Sequence, residues 1–209
     1  MSVHPSGPPY VSGAVEGQVD EAVLRRLLHH VGAVAGPIHG GLGKEHLRQR
    51  IPGYNAAATR APWVVIVDLN EEATCAPVLC RTWLPAPAPY ICFRVAVREV
   101  EAWLLADRRG IARFLGVGAS EIPVDPERLP SPKDTIVHIA RHSRRREIRE
   151  DLVPRPGSGR TVGPAYTSRM MEFVLNPDGG WGLDRAASVS ESLGRALRCL
   201  RGVVQSFNR

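Results

Sequence analysis

Apolar residues follow two alternating rhythms along this chain. Tyr10-Val-Ser-Gly-Ala-Val15 reads as a short strand closed by the turn signal Glu16-Gly17. From Val19 to Val31, apolar residues recur at 19, 22, 23, 27, 28 and 31, the spacing of one helix face. Asp20 and Glu21 fall in that helix's first turn, where the dipole favours negative charge. Val31-Gly-Ala-Val-Ala35 predicts a second strand. Gly40-Gly-Leu-Gly-Lys44 is a glycine-rich turn with a faint look of a phosphate loop but without the GxxxxGKS/T spacing, so it predicts a loop into a helix near Glu45–Arg50. Trp63-Val-Val-Ile-Val67 is the clearest strand, apolar throughout as in a parallel sheet buried on both faces, and it ends at Asp68. A helix around Ala73–Trp83 follows, closed by the proline-rich stretch Pro85–Pro89. Ile91 to Val97 predicts a fourth strand, and Glu99 to Ala106 a helix that Asp107 terminates.

This alternation implies parallel strands joined by right-handed crossovers. The expected fold is α/β, with a parallel sheet of four strands near residues 10–15, 31–36, 63–68 and 91–97 and helices on both faces. Beyond Gly110 no strand is predicted. Ile111–Leu115, Lys133–Arg141, Ala165–Val174 and Ser190–Val204 read as helices. The expected organisation is a disordered tail at 1–9, rich in Pro, Gly and Ser, an α/β domain at 10–110, and a helical C-terminal extension at 111–209 packed on it.

Composition is ordinary for a globular chain, 44% apolar and 23% charged. No run of 18 apolar residues exists, and the opening residues lack a cationic start followed by an apolar stretch. The four cysteines form no CxxC pair and read as reduced thiols. A cytoplasmic protein without a membrane span is expected. Net charge is +6, which permits a polyanionic partner. The excess is concentrated in Arg141-His-Ser-Arg-Arg-Arg-Glu-Ile-Arg149, where Arg144, Arg145 and Arg146 are candidates for binding nucleic acid. A solvated helix face explains the same run equally well.

In an open parallel sheet, ligands sit beyond the carboxyl ends of the strands. Glu16 follows the first strand and Asp68 ends the third, with Asn70 two residues on. Hard cations such as Mg²⁺ take oxygen ligands and keep several waters, so two or three such groups suffice. Acids at strand ends also arise simply because turns and helix starts favour them.

Val15-Glu-Gly-Gln-Val-Asp-Glu21 resembles the opening motif of TOPRIM domains, in which a glutamate ends the first strand. Val64-Val-Ile-Val-Asp68-Leu-Asn70 resembles their Asp-x-Asp strand end. Arg98-Glu-Val-Glu-Ala-Trp-Leu-Leu-Ala-Asp107, Ser131-Pro-Lys133 and Val162-Gly-Pro-Ala-Tyr166 resemble a bacterial group known only as domain of unknown function 4276. The likeness runs over roughly Val11 to Leu200. It implies a TOPRIM or Rossmann-like fold, an Mg²⁺ or Mn²⁺ site, and nuclease-like phosphoryl transfer on nucleic acid. Glu16, Asp68 and Asn70 are the implied metal residues, and Glu16, Asp68, Glu101 and Lys133 the implied catalytic set. Asn70 stands where the family has a second aspartate, so the site has one negative charge fewer, unless Glu71 or Glu72 compensates. The competing expectation is a degenerate, non-catalytic module that binds nucleotide, nucleic acid or a separate ATPase, since the chain has no intact phosphate loop.

Of Glu99 and Glu101, helical geometry lets only one face a site, and the resemblance favours Glu101. Lys133 at a helix start opposes the dipole, which hints at a phosphate-gripping role. His138 and His142 lie four apart without a third ligand and read as surface residues. Trp103 and Trp181 read as core.

Overall fold

The computed structural model describes residues 7–70, 75–177 and 180–207. Within them the expected α/β architecture is found. The strands β1 (Tyr10–Ala14), β2 (Val34–His39), β3 (Trp63–Asp68) and β4 (Ile91–Ala96) form one parallel sheet in the order β2-β1-β3-β4. The helices α1 (Gln18–His30), α2 (Lys44–Ala57) and α3 (Ala76–Trp83) connect them. Val64, Val65, Ile66 and Val67 are no more than 1% exposed. An unbroken apolar run therefore occupies an interior strand, where both faces need cover. The Ala73 and Thr74 end of the expected third helix, and Glu71 and Glu72, lie outside the described residues.

β2 begins three residues later than the apolar run at Val31 implies. The reason is how α1 ends. Val31 N–H donates to Leu27 O, Ala33 N–H donates to Leu28 O, and Gly32 takes φ +74°. That left-handed step is cheap only for glycine, and the chain cannot extend until it is complete. α2 in turn outruns its expected end, continuing through Pro52 to Ala57.

The chain divides into two compact units, residues 1–95 with 194–209, and residues 96–193. The sequence-based boundary fell at Gly110. The first unit holds the sheet. Its four cysteines are free thiols, with Cys75 exposed and Cys92 buried.

The second unit is helical. It contains α4 (Val100–Ala106), α5 (Arg108–Leu115), α6 (Pro132–Ala140), α7 (Arg146–Leu152), α8 (Tyr166–Leu175) and α9 (Leu183–Val189), and α10 (Glu191–Phe207) starts there. All seven α4 residues are buried, so α4 is its centre. Trp103 and Trp181 are core residues, with their ring N–H groups satisfied by Ser192 Oγ at 2.6 Å and Trp103 O at 3.1 Å. Asp107 ends α4 and caps α5. Its carboxylate accepts from Gly110 N at 3.2 Å, Gly182 N at 2.6 Å and Arg185 Nε at 2.8 Å. No helix among the described residues is long and apolar enough to cross a membrane.

Candidate functional site

Strand order decides where a crevice opens in such a sheet. The connection from β1 leads to β2 on one side of β1, and the next connection leads back to β3 on the other side. Right-handed crossovers in opposite directions place their helices on opposite faces and leave a gap at the carboxyl ends of the two inner strands. That switch point lies between β1 and β3. Glu16 and Asp68 stand at those two ends.

The two acids are joined directly. Glu16 Oε1 accepts from the Asp68 backbone N–H at 2.8 Å. Asp68 is buried and Glu16 half-buried. Lys44, the last residue of the glycine-rich turn, donates from Nζ to the Asp68 carbonyl at 2.7 Å. Asn70 is exposed and holds φ 45°, a left-handed conformation that Asn and Asp tolerate better than most residues. The Glu16 side chain thus reaches the backbone of Asp68. Lys44 was not anticipated, because its turn fits no phosphate-loop pattern. Its signal was the glycine-rich run just before a helix.

These side chains offer only oxygen donors, which suits a hard cation such as Mg²⁺. No group of three or more His, Cys, Asp or Glu side chains is placed to hold a metal among the described residues. Mg²⁺ needs fewer, because it keeps most of its waters and takes one or two carboxylates. Glu16, with one oxygen engaged by the Asp68 amide, and Asp68 supply the two carboxylates of that minimum.

Glu101 and Lys133 belong to the second unit, and they meet there. Lys133 Nζ lies 3.4 Å from Glu101 Oε1, and Tyr166 Oη donates to Glu101 Oε1 at 3.3 Å. Glu99 Oε2 accepts from the Lys133 backbone N–H at 3.0 Å. The three sequence strings around Glu101, Lys133 and Tyr166 therefore converge on one buried carboxylate. Both glutamates reach Lys133, contrary to the helical-spacing argument. Glu99 is the extended N-cap of α4, with φ −147°, so helix geometry does not separate it from Glu101. The adverse position of Lys133 at the start of α6 is offset by Glu101, which competes with the phosphate-gripping reading. Tyr166, which closes the Val162–Tyr166 string, is a partner of Glu101 that sequence reasoning misses.

Glu101 is 1% exposed. Burial pushes its carboxyl above the ordinary range, the Lys133 charge pulls it back, and the Glu99 charge pushes it up again. A carboxyl raised in the folded state adds stability below its unfolded pKa, and that stability is lost as pH rises through the raised value. Glu101→Gln, which keeps an acceptor for Tyr166, is expected to flatten the stability loss between pH 4.5 and neutrality. Denaturant titrations across that range check this, and an unchanged pH slope would contradict it.

Arg144, Arg145 and Arg146 are all exposed and lead into α7. Arg145 donates to Phe114 O at 3.3 Å, and Arg146 pairs with Glu150 at 2.7 Å in an exposed helical pair. Such surface pairs are weak and exchange readily for phosphate. If the three arginines contact phosphates, replacing all three by alanine is expected to weaken nucleic-acid binding uniformly across sequences. It should also reduce the log–log salt slope by roughly 2–3. An unchanged slope identifies a solvated face. His138 and His142 are exposed, their rings 5.3 Å apart.

Comparison of the chain with family models, curated proteins and solved structures found no match.

Proposed function

We propose that the first unit binds Mg²⁺ or Mn²⁺ at Glu16 and Asp68 and acts in phosphoryl transfer on nucleic acid, as a nuclease-like enzyme. One observation carries this reading. Glu16 and Asp68 follow or end the two inner strands at the switch point of a parallel sheet, and the Asp68 backbone N–H donates a hydrogen bond to Glu16 Oε1 at 2.8 Å. A bound divalent ion supplies charge neutralisation for phosphate oxygens and lowers the pKa of a water. The chain's own contribution is position. β1 and β3 fix the acids, and the Asp68 amide orients Glu16. Lys44, held at the Asp68 carbonyl, offers a positive charge beside the carboxylates for a phosphate oxygen. The all-oxygen donor set supports Mg²⁺ or Mn²⁺ over softer metals. The four free thiols support a cytoplasmic location.

The second reading is a non-catalytic module that binds nucleotide, nucleic acid or a separate ATPase. Asn70 favours it, because two carboxylates beside one lysine hold a dication less firmly than three would. The two readings part at one substitution. Asn70→Asp adds an anionic ligand in a backbone conformation that aspartate also tolerates, so metal affinity is expected to rise about tenfold, and cleavage with it. Cleavage of single- and double-stranded DNA and RNA with Mg²⁺ or Mn²⁺ is the assay. If neither wild type nor Asn70→Asp cuts any of the four or binds metal, the enzyme is excluded and the binding module stands.

A further inference from the structure

The first unit contains a cavity of about 340 Å³ that the carboxylate pair does not use. It lies between the end of β2, at His39 and Gly40, and one face of α2, formed by Gly43, His46, Arg50 and Tyr54. The face follows from helical spacing, since these residues step by three or four along α2. Among the described residues, the ionisable groups lining the cavity are His39, His46, Arg50 and Tyr54, and no carboxylate is among them. Among the described residues, the Arg50 and His46 side chains have no hydrogen-bond or ion-pair partner. Gly43, the N-cap of α2, makes no side-chain cap bond. Arg50 and the two histidines thus line a cavity to which the described residues contribute no carboxylate.

The cavity wall also carries ring surface. His39 stacks on Tyr54 at 5.8 Å and on Trp63 at 5.8 Å, and Tyr54 stacks on Trp63 at 4.9 Å. Arg50 lies one helical turn before Tyr54, on the same face of α2. Gly40 lets the wall close. A Cβ there would lie 2.8 Å from Val15 Cγ2 and 3.0 Å from Val15 O, so only glycine allows the turn to pass the end of β1. The volume falls in the range of small-molecule sites and exceeds what a lone phosphate needs.

We propose that this cavity binds the phosphate monoester of a nucleotide, with Arg50 and His46 on the phosphate oxygens and the His39–Tyr54 ring surface against the planar base. Arg50 suits the task because its planar fork matches two phosphate oxygens. The inference needs neither a metal ion nor cleavage, so it stands apart from the carboxylate pair. The nucleotide is either free or the terminal residue of a strand.

The test is calorimetry on the full chain in EDTA. Its probes are each of the four ribonucleoside 5′-monophosphates, the matching nucleosides, and a DNA oligonucleotide with and without a 5′-phosphate. At least one phosphorylated probe is expected to bind at least about tenfold tighter than its unphosphorylated partner. Arg50→Gln and His46→Gln, both at positions reached by solvent, should each remove most of that difference, while Arg60→Gln, an exposed arginine elsewhere on the unit, should leave it. Preference for a mononucleotide identifies a free ligand, and preference for the phosphorylated oligonucleotide identifies a strand end. Three outcomes overturn the proposal: no binding of any phosphorylated probe at millimolar concentration, equal binding with and without phosphate, or equal losses in Arg50→Gln and Arg60→Gln. Running the same titration on Asp68→Ala separates this site from the proposed metal site, because binding in EDTA should persist there.

Discussion

Asp68→Ala is expected to lower metal-dependent cleavage by at least about 100-fold while leaving the fold intact. The first part follows from charge. Asp68 is one of two anionic groups at the switch point, and losing it leaves Glu16 alone to hold a dication beside the Lys44 ammonium. Removing a single group that stabilises transition-state charge ordinarily costs a hundredfold or more. The second part concerns the bonds that hold Glu16 and Lys44 in place. Glu16 binds the Asp68 backbone N–H at 2.8 Å, and Lys44 binds the Asp68 backbone carbonyl at 2.7 Å. Both bonds survive truncation of the side chain. Cleavage rates with Mg²⁺ and Mn²⁺, beside a denaturant melt, check the two parts separately. Loss of cleavage together with loss of fold would assign Asp68 a structural role instead.

Asp107→Ala is expected to destabilise the second unit by about 3 kcal/mol, lowering its melting temperature by roughly 12–24 °C. Asp107 is 1% exposed and accepts four hydrogen bonds: from Gly110 N, Gly182 N, and Arg185 Nε and Nη2. Alanine leaves two backbone amides without an acceptor and opens the joint between α4 and α5. Burial pushes the Asp107 carboxyl up, but the bonds from Arg185, Gly182 and Gly110 outweigh it and hold it below the ordinary aspartate value of 3.8. A depressed carboxyl contributes stability that is present above the unfolded pKa and lost as pH falls through the folded one. Wild type is therefore expected to lose this contribution below pH 3.8, and the alanine variant to show no such loss. Calorimetric melts at neutral and acidic pH measure both effects. A variant melting within about 2 °C of wild type would mean that the Asp107 bonds contribute little net stability.

The sheet was legible in the sequence because its signals are local. Trp63–Val67 could be read as an interior strand from composition alone, and the turn at Glu16-Gly17 marked the end of β1. The start of β2 was misread because a left-handed glycine after a helix leaves little periodic trace. The candidate acids were legible for the same reason as the strands, since both stand at strand ends. Their joining bond was not, because it depends on β1 and β3 being neighbours, which strand order alone decides. Glu101, Lys133 and Tyr166 are separated by 32 and 33 residues, and nothing in periodicity announces that they meet. Only the quoted strings hinted at it, without geometry. The cavity beside α2 was hidden for a third reason. Arg50 and His46 look like ordinary surface residues until β2 places His39 and Gly40 opposite them.

The central claim is that Glu16 and Asp68 together hold a divalent cation. Crystals soaked in Mn²⁺ and measured at a wavelength where manganese scatters anomalously test it most directly. The account predicts one anomalous peak within roughly 2–2.6 Å of a carboxylate oxygen of both Glu16 and Asp68, and its loss in Asp68→Ala. Occupied manganese sites elsewhere with no density between these two residues would contradict it.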